Sequence, residues 1–160
     1  METAIHEMPD HARVWVYQAN QRFTADQKAL INEQLSAFTG QWAAHGQQLV
    51  ATFSIVHDQF IVLAVDESMH QASGCSIDAS VNVIRQIEQQ TGLSLLDRTQ
   101  VAFLADGEVK TYAFNQLKQA VLSGEVKPDT QVFDNTLTNA GEWKTRWVQP
   151  AGDTWVSRYF

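Results

Sequence analysis

The spacing of hydrophobic and polar residues along the chain predicts four β-strands in its first two thirds. Residues 13–17 (RVWVY) and 60–65 (FIVLAV) are apolar on both faces, which is typical of buried strands. Residues 49–57 (LVATFSIVH) instead alternate between apolar and small or polar side chains, as a half-buried or edge strand does. Residues 99–104 (TQVAFL) predict the fourth strand.

Two helices are predicted between these strands. The first begins at Thr24, because Thr24 and Gln27 have the spacing of a capping box. A stripe of apolar residues follows it at helical spacing: Ile31, Leu35, Phe38 and Trp42. The second helix is predicted over residues 76–91 and stops at a glycine. Ser76 is predicted as its N-cap, and Asp78 complements the positive end of the helix dipole.

The predicted order is β-α-β-β-α-β, which is the ferredoxin-like pattern. We therefore predict an α+β protein in which residues 1–105 form a ferredoxin-like βαββαβ core, and a three-layer α/β fold is the main alternative. The ferredoxin-like sheet has its first and third strands at the centre. Those are the two predicted strands that are apolar on both faces.

Residues 106–160 are predicted to form a C-terminal β/α extension. They contain a hairpin around Asp106 and Gly107, a short helix, a strand and an aromatic tail. The sheet would otherwise expose large residues such as Trp15 and Tyr17 on the face without helices. We expect the extension to pack on that face, with homo-oligomerisation as the alternative. A chain of 160 residues is too short for two ordinary domains, so one unit is expected.

Composition excludes several classes of partner. The formal net charge is −7 and the basic residues are scattered, so neither nucleic acid nor an anionic membrane is expected to bind. The N-terminus lacks the pattern of a signal peptide, and FIVLAV is too short to span a membrane. The single cysteine permits no internal disulfide, which is consistent with a reducing compartment. We expect a cytoplasmic protein.

Short segments distributed along the chain resemble a known family. They run from VWVYQ through WAAHG, LAVDE, SGCSID and LLDR to the final WVSRYF. In these segments the chain resembles a small, uncharacterised family of bacterial proteins commonly labelled "ABC transporter ATPase". The sequence opposes that activity, because a P-loop requires G-x-x-x-x-G-K-[ST] and no glycine here is followed by lysine. We interpret the label as a mis-annotation and expect no ABC-type ATPase activity.

A second resemblance is local. The segment LKQAVLSGEVKPDTQVF, residues 117–133, is similar to the helix-turn-strand segment of GYF-like domains, which bind proline-rich peptides. The resemblance implies an adaptor that binds peptide through the C-terminal segment. The GYF tripeptide itself is absent.

A candidate site surrounds the only cysteine. A ferredoxin-like core would bring the start of the second helix to the same sheet edge as the end of the first helix. The residues that could then perform thiol chemistry are Cys75, His45, Asp66 and His70, because a thiol, imidazoles and a carboxylate are the groups that this chemistry uses. The residues predicted to line a ligand site at the same edge are Ser73, Gly74, Cys75, Ser76, His45, Gly46, Trp42 and Arg13.

Three interpretations of this region stay open. Cys75 is a structural residue of a helix-entry turn, or the helix N-terminus binds an anion or small ligand, or the thiol is a nucleophile. The scattered histidines predict no metal site, and no cofactor is predicted. We first expect a small-ligand-binding or protein-interaction module whose ligand or protein partner is unknown. The alternatives are a thiol-dependent enzyme centred on Cys75 and the GYF-like adaptor.

Overall fold

The first part of the chain forms a three-stranded antiparallel sheet, here called the first sheet. A computed structural model of the chain describes residues 2–160, with side chains from residue 4 onward. The elements of this part are α1 (Glu2–His6), β1 (Arg13–Gln18), α2 (Ala25–Gln41), β2 (Ala43–Ala44), β3 (Gln47–Gln48), β4 (Val50–Val56), β5 (Phe60–Asp66) and α3 (Gly74–Thr91). The first sheet has the order β1–β5–β4, while β2 and β3 form a separate short hairpin.

Strand β5 lies at the centre of the first sheet, as its sequence predicts. Residues 60–65 are all buried, because neighbouring strands flank β5 and apolar layers cover both of its faces. The helices α2 and α3 cover one face with the fully buried side chains of Ile31, Leu35, Ile84 and Ile87. The apolar stripe that predicted α2 therefore faces the sheet.

The prediction that the first strand is central is wrong. Among the strands of residues 2–160, only β5 pairs with β1, which lies at one edge of the first sheet. Trp15 and Tyr17 pack towards the helices, so they are not the residues that the C-terminal segment covers. Val14 and Val16 point to the opposite face. β1 is apolar on both faces because each face meets a different packed layer.

The C-terminal part forms a second antiparallel sheet. Its elements are β6 (Gln100–Ala105), β7 (Glu108–Ala113), α4 (Leu117–Leu122), β8 (Gln131–Phe133), α5 (Ala140–Arg146) and β9 (Val148–Pro150), with 3-10 turns at Phe114–Gln116, Ala151–Asp153 and Trp155–Tyr159. The second sheet has the order β7–β6–β8–β9. The protein is thus a mixed α+β protein with two main sheets.

The fourth strand of the predicted ferredoxin-like core lies in this second sheet. β6 pairs with β7 along its whole length and does not join β1, so residues 2–160 do not complete a four-stranded ferredoxin-like sheet. The strand has two apolar faces, and the second sheet buries both: Ala102 faces the first sheet, and Phe103 packs against α4 on the other side. Because both faces of β6 are apolar, the strand can be buried equally well in a ferredoxin-like sheet beside β1 or in the second sheet.

The second sheet and α5 cover the face of the first sheet that carries no long helix. The shared core contains Val14, Phe60 and Val62 of the first sheet, and Phe133, Leu137, Trp143 and Trp147 of the C-terminal segment. Ile5 of α1 joins the same cluster and is fully buried. The C-terminal segment therefore packs on the sheet, as the sequence leads one to expect.

Helix α3 begins one half-turn earlier than predicted. Its N-cap is Ser73, whose hydroxyl accepts a hydrogen bond from the backbone N–H of Ser76. Ser76 is the third residue of the helix, and its side chain accepts from the N–H of Ser73 in return. The sequence offered two serines at capping-box spacing, and the first of them caps the helix. By contrast, the capping box of Thr24 and Gln27 is confirmed.

Candidate functional site

The predicted region around Cys75 is held together by packing and capping contacts. Trp42, just after α2, donates from its indole Nε1 to the backbone carbonyl of Ser76 at 2.8 Å. Its ring packs against Phe38 and Trp15, with ring centroids 4.9 Å and 5.7 Å away. The end of α2 and the start of α3 therefore meet, and an indole that is 2% exposed fills the space between them.

The carboxylate of Asp66 is engaged by neighbours other than the thiol. It accepts hydrogen bonds from the Ser68 hydroxyl at 2.6 Å and the Ser68 backbone N–H at 3.0 Å, and His11 Nε2 lies 3.4 Å from the same oxygen. The hydrogen bonds from Ser68, followed by the interaction with His11, lower the pKa of Asp66 below its ordinary value. These contacts stabilise the loop after β5.

The remaining predicted residues occupy turns and the entry to α3. Gly74 and Cys75 are the first two residues of α3, so Cys75 lies inside the first turn, and its side chain is exposed. His45 and Gly46 have φ angles of +51° and +78° and form the turn between β2 and β3. His70 lies in the loop that precedes α3.

Arg13, the last of the predicted ligand residues, lies at the start of β1. Its guanidinium is 5.1 Å from the centroid of the Trp15 ring. It therefore extends the aromatic cluster that Trp15 forms with Trp42.

A groove elsewhere in the fold combines a cavity with open backbone groups. It has a volume of about 320 Å³ and lies beside the outer edge of β1, between the first and second sheets. Its walls are β1, the loop of residues 95–98, the start of β6 and the loop after β8, and Phe114 and Trp155 also line it. We call it the inter-sheet groove.

Within residues 2–160, the outer edge of β1 makes backbone hydrogen bonds at its two ends and none between them. Val14 N–H donates to the carbonyl of Thr138 at 3.0 Å, and Asn20 N–H, just past the strand, donates to the carbonyl of Ser94 at 3.1 Å. In an antiparallel ladder, alternate residues direct their N–H and C=O groups to the same side. Val16 and Gln18 therefore direct theirs away from β5 and towards the inter-sheet groove.

Side-chain amides connect β1 to the second sheet at the groove. Gln18 donates from Nε2 to the carbonyl of Gln100 at 3.3 Å. Its Oε1 accepts from Asn135 Nδ2 at 2.9 Å, and Asn135 Oδ1 accepts from the indole of Trp147 at 2.9 Å. This chain of hydrogen bonds joins two layers where no backbone ladder does.

Two stacked aromatic side chains lie at the exposed side of the groove. The rings of Phe114 and Trp155 are nearly parallel, with centroids 5.7 Å apart, although both side chains are exposed, at 52% and 41%. Arg158 extends the stack, with its guanidinium 5.7 Å from the Trp155 ring. Exposed aromatic side chains that are already ordered by stacking can bind an apolar group at little entropic cost.

Charged and titratable groups also border the groove. Burial raises the pKa of Tyr17 above its ordinary value, while a hydrogen bond with Ser80 and the positive charge of Arg98 act in the opposite direction. Asp97 accepts hydrogen bonds from the hydroxyl and the backbone N–H of Thr99, which lower its pKa. The Asp97 carboxylate thus orders the loop, and Arg98 supplies positive charge to the groove wall.

Little in the sequence predicts this groove. The aromatic tail that contains Trp155 is predicted to pack on the sheet, and no pattern indicates that β1 lies at a sheet edge. Residues 2–160 contain no cluster of three His, Cys, Asp or Glu side chains placed to hold a metal ion. The helices of the same residues include none that is both long and apolar enough to cross a membrane.

Comparison with known proteins adds no relative. No protein-family model, curated protein sequence or solved structure matches this chain.

Proposed function

We propose that this protein is a binding module that takes a short peptide-like ligand in an extended conformation into the inter-sheet groove. The ligand adds as a short strand to the outer edge of β1 and places an apolar or aromatic side chain against Phe114 and Trp155. The same chemistry describes a free peptide and an exposed segment of a protein partner.

The observation that carries the proposal is the open stretch of the β1 edge. Val16 and Gln18 direct backbone donors and acceptors into a cavity of about 320 Å³, while the residues on either side are already paired. Buried or half-buried backbone groups are satisfied in nearly all native structures. An extended peptide supplies both the N–H and the C=O groups that such an edge lacks.

The size of the gap limits the ligand. Two unpaired residues on β1, between Thr138 and Ser94, correspond to about 7 Å of strand. Two or three ligand residues therefore fill it. The groove walls provide apolar surface from Phe133 and Leu95, and their charged residues are Arg98 and two aspartates, Asp97 and Asp134.

The proposal is tested with N-acetyl-Val-Phe-Val-amide as the probe. We expect saturating peptide to slow hydrogen exchange of the Val16 and Gln18 amides by at least about tenfold, because strand addition protects donors that face the groove. Residues of β5 provide the internal reference, since their amides are already paired. Unchanged exchange at Val16 and Gln18 in the saturated complex would refute strand addition.

A matched pair of variants tests the aromatic contact. Trp155→Ala is expected to weaken peptide binding about tenfold, because it removes one of the stacked rings. Phe160→Ala removes an aromatic side chain of similar exposure, 46%, that does not line the groove, and it should leave the dissociation constant unchanged. Equal effects of the two substitutions would place the peptide elsewhere.

A further inference from the structure

We infer that the outer edge of β4 is the surface through which two copies of this chain pair, strand against strand about a two-fold axis. The pairing extends the first sheet of each copy into one continuous six-stranded antiparallel sheet. It is independent of the proposed ligand site, because β1 and β4 lie on opposite sides of β5.

Within residues 2–160, the backbone groups of Ala51 and Phe53 make no backbone hydrogen bond on the side of β4 away from β5. Leu49 N–H, just before the strand, donates outward to the carbonyl of Trp42 at 2.8 Å. The alternation of an antiparallel ladder then directs the N–H and C=O groups of Ala51 and Phe53 to the same outer side. A depression of about 630 Å³ lies beside this stretch, so an incoming strand has room.

The opposite end of β4 is close to α1. Ile5 of α1 and Val56 belong to the same buried cluster, and both are nearly inaccessible to solvent. The accessible part of the edge is therefore its first half. It includes Val50, an apolar residue that is 51% exposed.

The edges of the second sheet carry residues that disfavour pairing with another chain, whereas the accessible half of β4 contains none. β7 contains Glu108 and Lys110, and the short strand β9 contains Pro150. The outer edge of β1 lies between the two sheets and is bonded at both ends, which leaves room for a short segment only. The sequence of β4, VATFSIV, has neither charge nor proline. Native proteins protect exposed strand edges with such residues, so an edge of this kind without them indicates a surface that is normally covered.

The chemistry of this surface fits a second copy of the same chain. Each chain carries a net charge of −7, so two copies repel unless they meet at a region without charge. The depression is bounded by Ser36, Thr39 and Gly40 of α2, which are all uncharged. A Cβ atom at Gly40 would meet no atom within 4 Å, so packing inside one chain does not require a glycine in this helix.

The open residues fix the register of the pairing. With the two-fold axis at Thr52, Ala51 of each copy faces Phe53 of the other, and the two pairs exchange four backbone hydrogen bonds. Thr52 then lies directly opposite its counterpart in the second copy, at a position that makes no backbone hydrogen bonds to it. Such positions have Cα atoms about 4.5 Å apart.

Molecular mass in solution gives the first test. Sedimentation of the full chain across the micromolar range should give twice the 18.0 kDa of one chain. Thr52→Lys should raise the dimer dissociation constant at least about tenfold, because it places like charges opposite each other. Thr111→Lys makes the same change on β7, at the outer strand of the second sheet, and should leave the dimer intact. A wild-type chain that sediments at 18.0 kDa at every concentration overturns the inference.

Disulfide trapping tests the register and does not depend on the charge variant. In a Cys75→Ser background, Thr52→Cys should give a covalent dimer when diamide is added as the oxidant, because the opposed Cα atoms lie within disulfide range. Val50→Cys places an exposed thiol two residues away, about 13 Å from its counterpart, and should stay unlinked. A dimer that resists Thr52→Lys and is not trapped at position 52 would use another surface and would also overturn the assignment.

Discussion

The hydrogen bonds that join β1 to the C-terminal layer are predicted to couple energetically, and Asn135→Ala is the perturbation that tests this. Asn135 accepts from the indole of Trp147 and donates to Gln18, with both distances 2.9 Å. Trp147 and Gln18 are 5% and 8% exposed. Truncating Asn135 therefore removes the partners of two largely buried polar groups at once.

The expected loss of stability depends on whether the Trp147 indole and the Gln18 amide can each find another hydrogen-bond partner. Losing the partner of a buried donor costs about 1–3 kcal/mol, and a satisfied hydrogen bond is worth about 1 kcal/mol. Water from the inter-sheet groove can reach the Gln18 amide, since Gln18 lines that groove. We therefore expect the Trp147 indole to carry most of the penalty, and Asn135→Ala to lower the free energy of unfolding by about 2–3 kcal/mol.

A double-mutant cycle measured by urea unfolding isolates the contact. Trp147→Phe removes the indole N–H, so Asn135→Ala should cost only about 1 kcal/mol in that background, which gives a coupling energy of about 1–2 kcal/mol. Trp143→Phe is the matched control. Trp143 is buried to 4% exposure and stacks on Trp147, but its Nε1 has no hydrogen-bond partner within residues 2–160.

The control decides between two explanations of a large effect. Asn135→Ala and Trp143→Phe should be additive to within about 0.5 kcal/mol, because they share no hydrogen bond. If the Trp147 cycle is also additive, the hydrogen bond does not stabilise the junction and the reasoning is wrong. If both cycles show equal coupling, general loosening of the aromatic cluster accounts for the effect.

Two further predictions concern acid stability and helix α3. The pKa values of Asp58, Asp66 and Asp97 are all lowered in the folded protein, chiefly by hydrogen bonds from Lys28, Ser68 and Thr99 respectively. Their contribution is therefore fully present above the ordinary aspartate pKa and is lost as pH falls through the lower folded values. Urea midpoints should fall over that acid range, and replacing all three by Asn should flatten the dependence; an unchanged slope would show that other groups control it. Ser73→Ala should cost about 1 kcal/mol in urea unfolding because it removes the N-cap, and a loss below about 0.2 kcal/mol would contradict that assignment.

Local patterns predicted the elements of the fold better than their arrangement. The capping box at Thr24, the apolar stripe of α2 and the doubly apolar residues 60–65 each report on their own immediate surroundings, and the structure confirms them. The same reasoning did not predict the positions of β1 and β6 in their sheets. Two apolar faces show that a strand has layers on both sides, but they do not show which strands are its neighbours.

Strand β6 shows what the local patterns do not contain, namely which strands pair with it. Its two faces enter two different clusters, and its edges pair with β7 and β8, which lie later in the sequence. The hairpin at Asp106 and Gly107, which the sequence does predict, brings β7 directly beside β6. A short hairpin closes at lower entropic cost than pairing across the 81 residues between Gln18 and Gln100, so local pairing prevails.

The candidate site could be predicted only where it depended on the order of the elements along the chain. The order of strands and helices places Trp42 near the start of α3, and there its indole donates to the backbone carbonyl of Ser76. The inter-sheet groove depends on β6 leaving the first sheet. If β6 paired with β1, as the ferredoxin-like prediction requires, it would occupy the outer edge of β1 and the groove would not exist.

The open edges of β1 and β4 have different consequences because their surroundings differ. The open stretch of β1 lies in the groove between the two sheets and ends at Thr138 and Ser94, so it admits a short segment but not a second folded sheet. The edge of β4 borders a broad uncharged depression and can approach an identical edge. A chain made monomeric by Thr52→Lys should therefore bind the acetylated peptide with unchanged affinity. Loss of both properties together would mean that the two edges do not act separately.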